Sequence, residues 1–233
     1  MRAHLVSLLL LLACSIGTVR PASAASPVPV GFETREFIDE SRSNWQNTGH
    51  RPLSTVIWYP AAANSPLTVP QVGDPAWRPY FVQSRFAVAA PLSAQGPRYP
   101  IVLLSHGSVS VNLSLGWLGA YLAQHGYIAA AVNHHGNTGA EGPPLSQGFM
   151  APWERAADLS ALLDQMLADP KFGSRIDKRR VFAAGGDSCR SWHRRGIRRA
   201  PASAQRLRGC VAAISRRAGS LSRRHGGFTQ RYP

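Results

Sequence analysis

Every acidic residue of this chain lies at or before position 187. By count, the 46 residues from Ser188 to Pro233 hold 12 Arg and no Lys, Asp or Glu. The residues before them hold all 12 acidic side chains and 14 of the 26 basic ones. The two parts therefore carry +12 and +2, so the +14 of the whole chain belongs to its last fifth. The composition of residues 27–184 suits a globular core, and the folded domain is expected to span residues 27–187. The remainder has no heptads, few aromatics and no recognisable nucleic-acid module, so no specific nucleic acid is expected as a partner despite a pI near 11.1. Out-of-frame translation of GC-rich DNA produces this kind of Arg/Ala/Gly/Ser mixture.

The N-terminus has the form of an export signal. Met1-Arg2-Ala3-His4 is a short positive region, and Leu5 to Ala13 is a nine-residue apolar run, too short to span a bilayer. Ala22-Ser23-Ala24 is a small-x-small cleavage site, which makes residues 1–24 a signal peptide. Leu11-Leu12-Ala13-Cys14 also resembles a bacterial lipobox, so a lipoprotein anchored through Cys14 is the alternative. No later segment is apolar enough for a transmembrane helix. Cys189 and Cys210 could pair in an oxidising compartment, but both fall in the Arg-rich segment, and no function is read into them.

Between these ends the hydrophobic pattern alternates between two periods. An irregular strand is expected around Val30-Gly31-Phe32-Glu33, and Leu53 to Pro60 is a β-branched alternating run that Pro ends. Residues 61–99, with six Pro, read as a long surface connection. Ile101-Val102-Leu103-Leu104 is continuously apolar, as in a strand buried on both faces of a parallel sheet. A helix is expected from Ser114 to His125, with Leu115, Leu118 and Leu122 on one face and Gly126 at its cap. Tyr127 to Val132 is the next buried strand, and Asn133 to Met150 reads as loop. The spacing of Leu159, Leu162, Leu163, Met166 and Leu167 predicts a helix from Trp153 to Ala168, stopped by Asp169-Pro170. Val181 to Ala184 is a further short strand. The order strand, helix, strand, helix, strand implies an α/β fold with a doubly wound parallel sheet and right-handed crossovers.

Four stretches, in this order and spacing, resemble a known family. They are Arg51-Pro52-Leu53 with Val56 to Pro60, then Tyr99 to Gly107. Gly126-Tyr127-Ile128 with Val132 to Thr138 is the third, and the helix before Asp177 to Val181 is the fourth. The segment from Val30 to Gly185, about two thirds of the chain, resembles the secreted α/β-hydrolases of the dienelactone hydrolase-like family, related to platelet-activating-factor acetylhydrolases. The resemblance implies a Ser-His-Asp esterase mechanism acting on a small-molecule ester, without a cofactor. It implies oxyanion donors at Gly107 and Ser108, directly after the buried strand. Family members usually carry a glycine pair just beyond, where this chain has Val109-Ser110.

The nucleophile elbow, G-x-S-x-G in this fold, is where the chain departs from the family. Counting from Gly185, Asp187 takes the serine position and Cys189 that of the closing glycine. Counting from Gly186, Ser188 is the nucleophile, the N–H of Cys189 is a second oxyanion donor, and Arg190 replaces the glycine. The fold's order is Ser, then acid, then His, and no acid follows Ser188. The expectation is therefore the N-terminal part of an α/β-hydrolase sheet, truncated or frameshifted after about residue 185, exported and catalytically impaired. The rival reading is a non-catalytic exported module whose Arg-rich arm holds anionic polymers or nucleic acid. His134 and His135, adjacent at a strand end, point in different directions, and no nearby Cys completes a zinc set. No metal is expected there. A pocket loop at the C-terminal end of a strand is the reading for this stretch. Oligomeric state is not encoded in any of these features.

Overall fold

The computed structural model of the chain describes residues 28–72, 80–81 and 84–185. The export signal with Cys14, and Asp187, Ser188, Cys189 and Cys210, lie outside the described residues. In chain order the elements are β1 (Val30–Ser43), β2 (His50–Pro60), β3 (Gln71–Val72), β4 (Tyr80–Phe81), β5 (Ala87–Val88), β6 (Tyr99–Ser105), α1 (Gly116–Gln124), β7 (Ile128–Val132), α2 (Ser146–Met150), α3 (Glu154–Ala168) and β8 (Ile176–Gly185). Six strands form one sheet in the order β5-β1-β2-β7-β6-β8, and β3 and β4 make a separate two-stranded ribbon.

The sheet is mixed rather than wholly parallel. β7, β6 and β8 run parallel, as the apolar runs at 101–104 and 128–132 imply. β2 is antiparallel to both β7 and β1. A connection of six residues joins β1 to β2, which is long enough for a hairpin but not for a parallel crossover.

From β6 the chain crosses through α1 to β7 on one side, then through α3 to β8 on the other. The two helices therefore cover opposite faces of the sheet. Even-numbered residues of β6, Val102 and Leu104, face Leu118 and Leu122 of α1 together with Trp58. Odd-numbered Ile101 and Leu103 face Leu159, Leu162 and Met166 of α3. This reversal of direction at β6 is the switch point at which open α/β sheets bind ligands, beside the C-terminal ends of the strands.

Several expectations are corrected by the structure. β1 extends over 14 residues instead of four. Its charged residues hid it, because two of them point inward with partners: Glu33 meets Lys171 at 2.5 Å and Arg35 at 2.8 Å, and Asp39 meets Arg42 at 2.6 Å. The stretch 61–99 is not only surface, since Phe86, Ala87 and Ala90 are buried and Phe86 stacks on Phe32 with ring centres 5.3 Å apart. The helix expected from Ser114 begins as a 3-10 turn at Asn112–Leu115 and becomes α-helical at Gly116. Gly126 caps it at φ +78, with Gly126 N–H on the Ala123 carbonyl and Tyr127 N–H on that of Leu122, the paired closure that favours glycine. The 133–150 loop contains the short helix α2. No helix among the described residues is long and apolar enough to cross a membrane.

Candidate active site

The loop leaving β6 starts at His106, which is fully buried. Its Nδ1 lies 2.6 Å from the Gly107 carbonyl oxygen, and its Nε2 accepts the His134 backbone N–H at 3.1 Å. A carbonyl only accepts and a backbone N–H only donates, so the ring proton sits on Nδ1 and the imidazole is neutral. Burial, with His134 beside it, pushes the pKa of His106 down from 6.5 to about 3. Gly107 opens onto free space, with no described atom within 4 Å of where a Cβ would stand. The next turn is strained: Val109 sits at φ +58, where a β-branched residue is disfavoured.

The loop after β7 holds this turn in place. Asn137 Oδ1 accepts Val109 N–H at 2.9 Å and the Ser108 hydroxyl at 3.2 Å. Asn133 Oδ1 accepts Asn112 N–H at 2.8 Å and the Thr138 hydroxyl at 3.1 Å, and Thr138 also reaches the Ser110 carbonyl at 3.0 Å. The loop after β7 and the loop leaving β6 are thus tied together by hydrogen bonds. Gly107 and Ser108 lie in the latter. Ser188 and Cys189 fall outside the described residues. Gly185, the last described residue before them, pairs with Ser105 across the sheet.

Beneath the loops lies a buried polar network that the sequence reading missed. Asp158 is fully buried and satisfies both oxygens. Oδ1 accepts Arg51 Nε at 2.6 Å and Arg42 Nη2 at 2.8 Å, while Oδ2 accepts His134 Nδ1 at 2.8 Å and Arg51 Nη2 at 3.1 Å. Burial works to raise the Asp158 pKa, but the hydrogen bonds from His134 and Arg51 outweigh it and the carboxyl is held well below its usual range. His134 is held below its usual value by burial despite Asp158, so its neutral Nε2 accepts the Ser105 hydroxyl at 2.8 Å.

Asp158, His134 and Ser105 have the connectivity of an acid–base–hydroxyl triad. Ser105, however, is only 1% exposed and ends a strand flanked on both sides by β7 and β8, so no ester carbonyl reaches its Oγ. The set braces the loops from below. Arg155, also buried, donates from Nη2 to the His106 carbonyl. A signal for Arg155 and Asp158 was present in the sequence. They stand four and one residues before Leu159, so they continue its apolar stripe toward the start of α3. Charged residues are ordinarily assigned to the solvent face, which is why the pattern passed unread.

The two adjacent histidines do point apart. His134 faces Ser105 and Asp158, whereas His135 faces Glu141 at 2.8 Å and Gln46 at 3.3 Å. Among the described residues no group of three or more His, Cys, Asp or Glu is placed to hold a metal ion.

No family model matches the chain. Lipase 1 of Moraxella sp. (strain TA144) is 35% identical over 79 residues, which is 34% of this chain and 21% of that lipase. Among solved structures, a ferulic acid esterase from Streptomyces cinnamoneus superposes with a TM-score of 0.59 at 28% identity, covering 76% of this chain and 58% of that one. A hypothetical protein from Pseudomonas aeruginosa gives a TM-score of 0.40 at 16% identity, over 77% of this chain and 41% of that one. The chain thus spans about a fifth of the length of the lipase and under two thirds of that of the esterase. With its six-stranded mixed sheet, helices on both faces and an esterase as structural neighbour, the chain has an α/β-hydrolase-like fold.

Proposed function

We propose that this domain is an exported carboxylic-ester hydrolase of the dienelactone hydrolase-like kind, acting on small-molecule esters, and that its turnover is impaired as written. The observation that carries the reading is the register of β8 on β6. Gly185 pairs with Ser105, so the chain leaves β8 beside His106, Gly107 and Ser108. A nucleophile on an elbow at that point would face backbone donors on the neighbouring loop, the arrangement that stabilises the tetrahedral intermediate of acyl transfer. In this chain Ser188 takes the nucleophile's part, and the N–H groups of Gly107, Ser108 and Cys189 receive the oxyanion. Impairment is argued from Arg190, which stands in place of the closing glycine of the elbow. The lipase's name points to acyl esters, and the esterase's name to esters of ferulic acid, as the first substrates to try.

The test is hydrolysis of p-nitrophenyl acetate and methyl ferulate by the full chain and by Ser188→Ala. The expected result is a rate near that of buffer, unchanged by the substitution. Hydrolysis well above buffer that disappears in Ser188→Ala would overturn the impairment and establish the nucleophile. Sequencing the coding DNA from codon 180 onward tests the ester chemistry itself. A second reading frame that restores G-x-S-x-G, then an acid, then a histidine supports it. If no frame does so, the Arg-rich segment is genuine and an arm for anionic polymers is the better reading. Such binding weakens steeply with salt and is lost when residues 188–233 are deleted.

A further inference from the structure

We infer that Arg155 and His106 are positioning residues that aim the Gly107 and Ser108 N–H groups out of the loop by tying down the two carbonyls behind them. The purpose of this device rests on the ester-hydrolase reading above, while its geometry rests on the loop's own hydrogen bonds.

A trans peptide is planar, with its C=O and N–H antiparallel, and the described residues contain no cis bond. Fixing a carbonyl therefore fixes the direction of the next residue's N–H. The His106 carbonyl is held by Arg155 Nη2 from α3, so the Gly107 N–H points away from that helix. The Gly107 carbonyl is held by His106 Nδ1 at 2.6 Å and by Ser110 N–H at 3.3 Å, so the Ser108 N–H points away from the His106 ring. Among the described residues neither of these two N–H groups donates to another backbone or side-chain group, although the next one, on Val109, donates to Asn137. Two outward donors on successive residues, next to a glycine whose Cβ position has no described atom within 4 Å, form a cradle for a single anionic oxygen.

The device depends on one tautomer. Only a His106 ring with its proton on Nδ1 can hold the Gly107 carbonyl. The His134 backbone N–H on Nε2 enforces that form, and the His134 side chain is itself braced by Asp158 and Ser105. The buried network thus leads from Asp158 through His134 and His106 to the loop, and Arg155 holds the preceding peptide directly.

The test begins with nitrogen NMR of the full chain labelled with ¹⁵N-histidine at neutral pH. His106 is expected as a neutral ring protonated on Nδ1, and a proton on Nε2 overturns the inference. Two variants then separate aiming from packing. His106→Asn keeps an amide N–H near the place of Nδ1, whereas His106→Gln puts it near Nε2. The Ser108 amide signal should stay close to its wild-type position in the first and move in the second. Arg155→Met should displace the Gly107 signal, with Arg155→Lys restoring part of the shift. Where the chain turns over an ester, His106→Gln should lower kcat by about tenfold or more with KM within about twofold, and His106→Asn should recover most of the loss.

Equal displacement by His106→Asn and His106→Gln overturns the aiming role whatever the activity. An inactive chain that keeps the expected spectral pattern supports the aiming role, and the failure of the hydrolase reading is read separately, from a coding sequence in which no frame restores G-x-S-x-G, an acid and a histidine. If variants fail to fold, the tautomer of the unaltered chain still decides.

Discussion

Val109 shows how one residue records a conflict between sequence and backbone. The turn after the loop leaving β6 needs a left-handed conformation, and the chain places a β-branched residue there at φ +58. That conformation costs an L-residue roughly 1–2 kcal/mol, more when the Cβ is branched. Val109→Gly should therefore raise stability by about 1 kcal/mol in urea denaturation, after allowing for the greater freedom of glycine in the unfolded chain. A loss of stability would show that the valine side chain contributes packing that outweighs the strain. At Asp158 the conflict runs the other way. A charge on an otherwise apolar stripe is tolerated because each carboxylate oxygen accepts two hydrogen bonds, and removing one partner of such a buried set typically costs about 3–5 kcal/mol.

At the scale of elements, α1 sits closely on β2. Gly119 is in the middle of α1, where Ala normally improves a helix by about 1 kcal/mol. Here a Cβ would lie only 2.3 Å from the indole of Trp58, which is fully buried and has no room to yield. Gly119→Ala should therefore destabilise by about 1–3 kcal/mol. Gly116→Ala on the same helix should be neutral or stabilising, because its Cβ would lie 3.6 Å from the same indole, an ordinary contact. Thermal unfolding of the two variants side by side checks the sign reversal. If both stabilise, α1 is not seated on Trp58 as described. α3 reaches its seat differently. Leu159, Leu162 and Met166 supply the apolar stripe, and Arg155 and Asp158 at its first turns give the helix a fixed rotation relative to the loops above.

For the whole molecule the buried histidines set the pH dependence. His106 is held near 3 and His134 below its usual value, both chiefly by burial. The unfolded chain therefore takes up protons below about pH 6.5 that the folded chain refuses. Stability should be full above that pH and should fall as the pH drops, with a slope of at most about 1.4 kcal/mol per pH unit for each imidazole. Asp158 and Asp39, whose pKa values are lowered in the fold, add a further loss only below about pH 4. Urea denaturation between pH 8 and pH 5 measures this. A flat profile across that range would sink the neutral assignment of both rings.

Apolar runs and periodicity were enough to find β6, β7, β8, α1 and α3, because burial on both faces or along one stripe leaves a pattern that neighbours in sequence share. The capping glycine at 126 and the loop at Gly107 and Ser108 were legible for the same reason, since strand-to-helix turns and helix ends are local events. The antiparallel β1–β2 hairpin, the buried part of 61–99 and the network around Asp158 were not. Each depends on groups far apart in sequence: Glu33 with Lys171, Phe86 with Phe32, Arg51 and His134 with Asp158. A buried charge looks like a surface residue until its partner is known. The sequence by itself determined the alternation of strands and helices. Only the tertiary structure decided which polar groups went inward, because their burial is stable only once distant donors and acceptors meet.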